Sequence, residues 1–224
     1  MPVTRQVIHV PRLDAVTEPV ETRAQRKERT RQALLERALE LHADRSFASV
    51  SLREVARAAG IVPTAFYRHF ASMDELGVAL AEDSMRVLRR LLRDARRTPS
   101  ATTARASLDI LVRQVHAHEA EFRFVARERY GGMPEVRRAI ATELRLFVSE
   151  LTVDLGRMPA LSHWEVEDLE MAADLIVQTM LGAVVDLLDA NRPGSSEERA
   201  VIARTEKQLR LIMIGIGGWK PAHP

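Results

Sequence analysis

The side chains best suited to a chemical task lie in one short segment, Pro63-Thr-Ala-Phe-Tyr-Arg-His-Phe70. At 100° per residue along a helix, Phe66 and Phe70 share one side and should face a core. The opposite side then carries a hydroxyl, a small side chain and a cation, from Thr64, Ala65 and Arg68, and Pro63 in the first turn is a further candidate for DNA contact. An arginine can donate two hydrogen bonds to guanine, and an alanine or a threonine methyl can contact thymine. The segment therefore predicts a helix that reads base edges in the major groove of DNA.

Phosphate contacts are expected around this helix. Tyr67 and His69 lie on its flanks, where each could reach a phosphate oxygen. The same role is predicted for three residues earlier in the chain: Arg26, Ser51 and Arg53. From residue 22 to residue 70 there are ten Lys and Arg against five Asp and Glu, which leaves +5 (10 − 5), although the whole chain carries only +2. Such an excess suits a phosphate backbone, although a solvated helix face would have the same composition.

The elements that must position these residues have clear boundary signals. Ser51 and Glu54 have the spacing of a capping box, which predicts a helix start. Gly60 can adopt the left-handed conformation that ends a helix, and Ile61 can then pack back on the last turn. Pro63 suits the first turn of a second helix. Helix, tight glycine turn and helix together predict a helix-turn-helix.

Three stretches of this region carry a family resemblance: Ser51-Leu-Arg-Glu-Val-Ala-Arg-Ala-Ala-Gly-Ile61, Phe66-Tyr-Arg-His-Phe70 and Asp74-Glu-Leu76. Together they resemble the DNA-binding domain of TetR-type repressors. Further stretches are similar to the FabR and DesT subgroup, which controls unsaturated fatty-acid synthesis: Arg45-Ser-Phe-Ala-Ser49, Phe122-Arg-Phe124 and Arg127-Glu-Arg129. The resemblance implies a homodimeric repressor that binds a palindromic operator and responds to long-chain acyl-CoA or a similar acyl thioester. The alternative is a TetR-type repressor of an efflux or catabolic operon that responds to another hydrophobic ligand.

The whole chain predicts an all-α protein of about nine helices. We expect a flexible arm over residues 1–21, a three-helix helix-turn-helix domain over 22–72 and a larger helical domain over 73–224 that binds the effector and dimerises. Capping-box spacings predict helix starts at Thr22, Ser72 and Ser162. One helix is expected from about Thr102 to Ala120, and a separate short helix through Phe122, Phe124 and Val125 follows it. Prolines and glycines at 98–100 and 191–195 predict breaks.

The last two long helices, near 162–190 and 196–216, carry more apolar surface than one monomer covers easily. Such surplus is typical of an oligomer interface, and the TetR resemblance implies a four-helix dimer bundle. Burial within one monomer is the alternative.

The larger domain also has candidates for a ligand pocket: Phe122, Val125, Phe147, Leu151 and Met180. Methionine and aromatic residues at helical spacing are more often plain core. The resemblance, however, implies a tunnel for an acyl chain. Arg127, Arg129 or Arg137 could meet the phosphates of a thioester, or each could form a surface salt bridge.

Catalytic, metal and membrane functions have little support. The chain has no cysteine, which excludes disulfides and thiolate metal sites. His116 and His118 are two residues apart, so on a helix they point to nearly opposite faces and cannot chelate one metal. No nucleophile or phosphate-loop motif occurs. We therefore expect no enzyme activity, no cofactor and no metal. No stretch reads as a membrane span or signal peptide, so a soluble, cytoplasmic protein is expected.

Overall fold

A computed structural model describes residues 22–96, 104–190 and 192–220. Within these ranges the chain forms nine α-helices and one 3₁₀ turn, with no strand, which confirms the predicted fold class. The helices are α1 (Arg23–His42), α2 (Leu52–Ala58), α3 (Pro63–Phe66), α4 (Met73–Arg96), α5 (Ala104–Ala117), α6 (Glu119–Glu128), α7 (Pro134–Gly156), α8 (Val166–Asp189) and α9 (Ser196–Gly218). The 3₁₀ turn, Phe47–Ser49, lies between α1 and α2. The arm predicted over 1–21 and the break predicted at 98–100 lie outside the described residues.

The first two capping boxes form as predicted. At the start of α1, the Thr22 hydroxyl accepts from the Gln25 amide at 3.2 Å, and the Thr22 amide donates to the Gln25 side chain at 2.8 Å. At the start of α2, Ser51 accepts from the Glu54 amide at 3.3 Å and donates its own amide to Glu54 at 2.9 Å. Each box satisfies backbone donors that a helix start leaves without partners.

The turn between α2 and α3 is a Schellman motif. Gly60 has φ of +70°, its amide donates to the Arg57 carbonyl at 3.1 Å, and the Ile61 amide donates to the Ala56 carbonyl at 2.9 Å. These are the 5→2 and 6→1 hydrogen bonds of that motif. Pro63 then opens α3 at its first position. The turn therefore sets the direction in which α3 leaves α2 through backbone hydrogen bonds.

The larger domain is built around α4. This helix packs against α7, α6 and α5, while α8 packs between α7 and α9. The hydrophobic core is continuous between the two domains, since buried residues of α1, α2 and α3 form one cluster with those of α4 to α9. Gly77 lies at the junction: a Cβ there would lie 2.6 Å from the Phe47 ring and 2.7 Å from Val136. The glycine therefore lets the 3₁₀ turn and α7 approach α4 closely.

The helix start predicted at Ser72 is confirmed, because α4 begins at Met73, but only half of the expected capping box forms. At α4, Ser72 accepts from the Glu75 amide at 3.1 Å, but the Glu75 carboxylate takes the Ala71 amide at 2.6 Å instead of that of Ser72. The start predicted at Ser162 is wrong. Its hydroxyl donates to the Pro159 carbonyl at 3.0 Å, and α8 begins at Val166 without a side-chain cap.

The loop before α8 takes its shape from the burial of two large side chains. Consecutive turns place Leu161 and Trp164 inside, at 5% and 8% exposure. Burial of these two large side chains outweighs a local capping pattern worth about 1 kcal/mol.

The helix predicted from about Thr102 to Ala120 forms as α5 but ends earlier than expected, at Ala117, and the short helix predicted after it forms as α6. Thr102 lies outside the described residues, and the chain breaks at His118, with φ of −133° and ψ of 41°. The break separates α5 from α6, so that α6 can turn its apolar residues inward independently of α5.

One expectation about membranes requires correction as well. Helix α8 is long and apolar enough to span a membrane by length and composition. This is weak evidence, because a core helix of a soluble protein has the same properties.

Candidate nucleic-acid interface and interior cavity

Helix α3 ends at Phe66, so Tyr67, Arg68 and His69 lie in the turn after it and not in the longer helix that the sequence predicted, but the segment keeps the predicted two-sided arrangement. Phe66 and Phe70 are buried, at 0% and 2% exposure, and hold the segment against α1 and α2. The predicted base-reading and flanking residues lie on the other side: Pro63, Thr64, Tyr67 and Arg68 are exposed, while Ala65 and His69 are half-buried. The structure therefore brings these residues together on one surface.

The phosphate candidates outside α3 differ in how they are engaged. The Arg53 side chain is exposed and forms no hydrogen bond or ion pair within the described ranges, and the same holds for the side chain of the base-reading candidate Arg68. Arg26 is exposed in the first turns of α1. The Ser51 hydroxyl instead donates to the Glu54 carboxylate at 2.7 Å, so its first task is to cap α2. The DNA contacts of all these residues remain predictions.

Charged side chains stabilise the start of α2. Hydrogen bonds from Ser51 and then from Arg45, whose Nη2 lies 2.8 Å from Oε1, lower the pKa of Glu54 to about 2. The carboxylate is thus ionised at neutral pH and keeps both contacts. Burial and then the nearby cations Lys27 and Arg31 lower the pKa of His69. His69 is therefore a neutral imidazole at neutral pH when no DNA is bound.

An apolar cavity of about 190 Å³ lies inside the larger domain, among α4, α5, α6, α7 and α8. All five predicted pocket residues line it: Phe122, Val125, Phe147, Leu151 and Met180. The cavity is smaller than the roughly 300–1,000 Å³ of typical ligand pockets. Flexible Met85 and Met180 are part of its wall, and methionine side chains can rearrange to change such a volume. Whether the five residues bind a ligand stays a prediction.

Other aromatic and methionine residues of the larger domain, and two of the three arginines considered for ligand contact, do not line this cavity. Trp164 is buried in a separate cluster, and Met158 and Met171 are 45% and 42% exposed. Arg127 donates to the carbonyls of His42 and Ala43, at 3.1 and 3.2 Å.

Of the remaining two arginines, Arg137 donates to the Gly131 carbonyl at 2.6 Å. Only Arg129 of the three lines the cavity.

Helix α6 connects the cavity to the helix-turn-helix domain of residues 22–72, called the DNA-reading unit below. Its Phe122 and Val125 line the cavity, whereas Phe124 stacks edge-on against the rings of His42 and Phe47, with centroids 5.0 and 5.7 Å away. The fully buried Glu128 accepts from the Phe47 amide at 2.9 Å. One short helix thus contacts both the cavity and the segment between α1 and α2.

His42 and Glu128 form a buried pair that the sequence analysis missed. The His42 Nδ1 lies 3.6 Å from the Glu128 carboxylate, with side-chain exposures of 1% and 0%. Burial, and then the nearby Arg127 guanidinium, lower the pKa of His42 to about 4. The only sequence signal was a glutamate among the apolar residues of α6, and it did not identify the partner.

The two histidines considered for a metal have different partners. His116 Nε2 lies 2.7 Å from Glu198 in α9, and His118 Nδ1 lies 3.6 Å from Glu121 in α6. Within the described residues, no group of three potential metal ligands converges.

Helices α8 and α9 expose several large apolar side chains. Leu175 and Val185 in α8 are 49% and 40% exposed, and Leu211 and Ile214 in α9 are 70% and 71% exposed. These values describe one chain by itself. The predicted dimer interface stays a prediction that this surface fits.

Solved structures share this fold at low sequence identity. A transcriptional regulator from Rhodococcus sp. Rha1 is 21% identical over 87% of this chain and 99% of its own, with a TM-score of 0.63. A TetR-family transcriptional regulator from Streptomyces coelicolor is 18% identical over 85% and 97%, with a TM-score of 0.63. The fatty acid degradation regulator FadR from Bacillus halodurans is 16% identical over 86% and 97%, with a TM-score of 0.63.

Family models cover both domains. Residues 34–80 match the model for bacterial regulatory proteins of the tetR family, and residues 100–215 match the tetracyclin repressor-like C-terminal domain. The second match alone spans more than half of the 224 residues. Members of this family are DNA-binding transcriptional regulators and not enzymes. The chain therefore belongs to the tetR family of bacterial regulatory proteins.

Proposed function

We propose that this protein is a homodimeric repressor of genes for unsaturated fatty-acid synthesis, which binds a palindromic operator and responds to a long-chain acyl thioester. The observation that carries the proposal is the position of α6. Phe122 and Val125 on this helix line the apolar cavity, and Glu128 on the same helix binds the Phe47 amide next to the helix-turn-helix. A ligand in the cavity can therefore change the placement of the DNA-reading unit.

The exposed face of α3 supports the DNA-binding part. Each subunit places α3 in a major groove, with Arg68 on a base edge and Tyr67 near the backbone. Two subunits related by a two-fold axis then require half-sites about 34 Å apart or somewhat more. The exposed apolar residues of α8 and α9 are the surface that the dimer would bury. A protein with this task acts on chromosomal DNA, in the cytoplasm.

The apolar lining of the cavity supports the ligand part. An acyl chain offers no polar group along its length, so an apolar wall suits it. Because the cavity holds only about 190 Å³, a long chain requires it to widen, and such widening would select a different conformation of the domain. The similar fold of a regulator of fatty acid degradation is in keeping with this ligand class.

The second candidate is a repressor of an efflux or catabolic operon that responds to another hydrophobic molecule. The same apolar cavity favours it, since the wall selects for hydrophobicity more than for one chemical identity.

Operator binding in the presence of acyl thioesters tests the proposal. We would measure the affinity of the protein for DNA from its own promoter and from desaturase promoters, at one fixed salt concentration. Each titration is repeated with saturated and with unsaturated long-chain acyl-CoA. The expected result is a change of about tenfold, or about 1.4 kcal/mol of coupling, that differs between the two acyl types.

Two other results would separate the candidates. Tight and sequence-specific binding that ignores every acyl-CoA would reject the fatty-acid function and favour the second candidate. Failure to bind any specific sequence at low salt would contradict the repressor function itself.

A further inference from the structure

The cavity lining is almost entirely apolar, but it includes two cations. Among the described residues that line it, only Arg89 in α4 and Arg129 at the end of α6 carry charge. A cation beside an apolar cavity is costly unless an anion compensates it. The partners of the two arginines therefore indicate which of them has a task in ligand binding.

Arg89 is already compensated. Its guanidinium forms an ion pair with Glu143, and its Nη1 lies 3.9 Å from Glu150. Both carboxylates belong to α7, so Arg89 ties α4 to α7 and has more than one negative charge nearby. This arginine has no need of a ligand anion.

Arg129 has neutral contacts instead. Its Nη2 donates to the Gln178 side chain at 3.4 Å, and its Cζ lies 4.7 Å from the centroid of the Tyr130 ring. The Gln178 amide in turn donates to Asp174 at 3.2 Å. Across the described ranges, no carboxylate forms an ion pair with Arg129. A half-buried cation thus borders the cavity with its charge uncompensated by a direct partner.

From this arrangement we propose that Arg129 selects the head group of the cavity ligand, and that the ligand is an amphiphile with one apolar chain and an anionic oxygen group. The inference rests on the proposed function, because it takes an apolar-chain ligand in this cavity as given. The anionic group is either a carboxylate at the end of the chain or a phosphate of a thioester carrier. Both offer the oxygens that a guanidinium binds in a bidentate manner.

Calorimetric titration of the full chain with three probes tests the inference at pH 7.5. The probes are decanoate, decan-1-ol and decanoyl-CoA, which share one chain and differ in the head group. The variants are Arg129→Gln, which removes the charge, and Arg129→Lys, which keeps it. Arg138→Gln is the matched control, since Arg138 pairs with Glu135 on the exposed side of α7 and does not line the cavity.

In the wild type, we expect decanoate or decanoyl-CoA to bind at least about tenfold tighter than decan-1-ol. Arg129→Gln should reduce this ratio to about twofold or less while leaving the affinity for decan-1-ol unchanged. Arg129→Lys should keep most of the preference, and Arg138→Gln all of it. The anionic probe whose affinity depends on Arg129 identifies the source of the anion.

Two other outcomes would contradict the inference, and they can be told apart. Arg129 also occupies the C-cap of α6, where a cation stabilises the helix end. If that is its only role, Arg129→Gln will change the affinities for decanoate, decan-1-ol and decanoyl-CoA equally or leave them all alone. Either result overturns the head-group role and leaves an acyl-binding cavity standing. Failure of the wild type to bind any of the three probes would refute this inference, whereas the long-chain ligand of the proposed function is refuted only by the operator titrations with long-chain acyl-CoA.

Discussion

Replacement of Glu128 should destabilise the protein by an amount that depends on whether an acceptor remains for the Phe47 amide. Glu128→Ala leaves this buried N–H without a partner, which costs about 1–3 kcal/mol. It also leaves a void beside His42, while loss of a buried carboxylate relieves part of the cost. Glu128→Gln keeps an oxygen in the same place and should cost clearly less. We expect Glu128→Ala to lower the free energy of unfolding by about 2 kcal/mol more than Glu128→Gln does.

Urea unfolding, monitored by circular dichroism, gives the free energy of unfolding of both variants, and the two values are compared where the m-values agree. Gly131 offers an independent perturbation of the same contact, because a Cβ at this position would overlap the Glu128 carboxylate. Gly132→Ala is the control, since its Cβ would meet only Ala48, at 3.3 Å. Gly131→Ala should destabilise the wild type more than it destabilises Glu128→Ala, in which only the contact of the new Cβ with the Cα of residue 128, at 3.1 Å, remains. Equal losses for the alanine and glutamine variants, or additive effects of the two substitutions, would refute the role given to this carboxylate.

Three further predictions concern the DNA contact, pH and assembly. Arg68→Ala should weaken operator binding by about 1–3 kcal/mol and relax specificity at one base position. Arg53→Ala should instead weaken binding to all DNA sequences alike and reduce the slope of log affinity against log salt concentration by about 1. Titrations on base-substituted operators distinguish the two effects. Because His42 has its pKa lowered to about 4 while an unfolded histidine titrates near 6.5, its stabilising effect is complete above pH 6.5 and lost as the pH falls towards 4. Between pH 7 and pH 5 the stability advantage of the wild type over His42→Phe should therefore shrink by about 2 kcal/mol in urea unfolding; an unchanged difference would show that the imidazole is not held neutral. Leu211→Asp with Ile214→Asp should yield a folded monomer in sedimentation experiments, and a persistent dimer would place the interface elsewhere.

The helix-turn-helix was predictable because its signals are local. The Ser51–Glu54 box, Gly60 and the buried pair Phe66 and Phe70 lie close together in sequence, so spacing alone specifies the geometry. The same local reasoning failed at Ser162. There the burial of Leu161 and Trp164 against distant helices decides where α8 begins, and no short-range pattern carries that information.

The contacts of Glu128 could not be predicted from the sequence, for a different reason. Phe47 lies 81 residues from Glu128 in sequence, and the two meet only because α6 packs across the end of α1. Residue types could suggest that Phe122 and Val125 face an interior, and the family resemblance suggested a tunnel. Neither could show that the opposite side of the same helix holds the DNA-reading unit.

The chemistry of this junction bears on how a ligand signal could pass through it. An apolar contact between α6 and the 3₁₀ turn could slide by small amounts at little cost. The contact between the Glu128 carboxylate and the Phe47 amide does not allow such sliding. Any shift that lengthens this hydrogen bond leaves two buried polar groups without compensation. The junction therefore favours discrete arrangements over gradual ones, as two-state switching elements do. We expect Glu128→Gln, which weakens this selection but keeps the acceptor, to bind the operator and the effector nearly as the wild type does while the coupling between them falls. Operator titrations with and without effector measure that coupling, and an unchanged value would show that the signal passes through other contacts of α6 or α4.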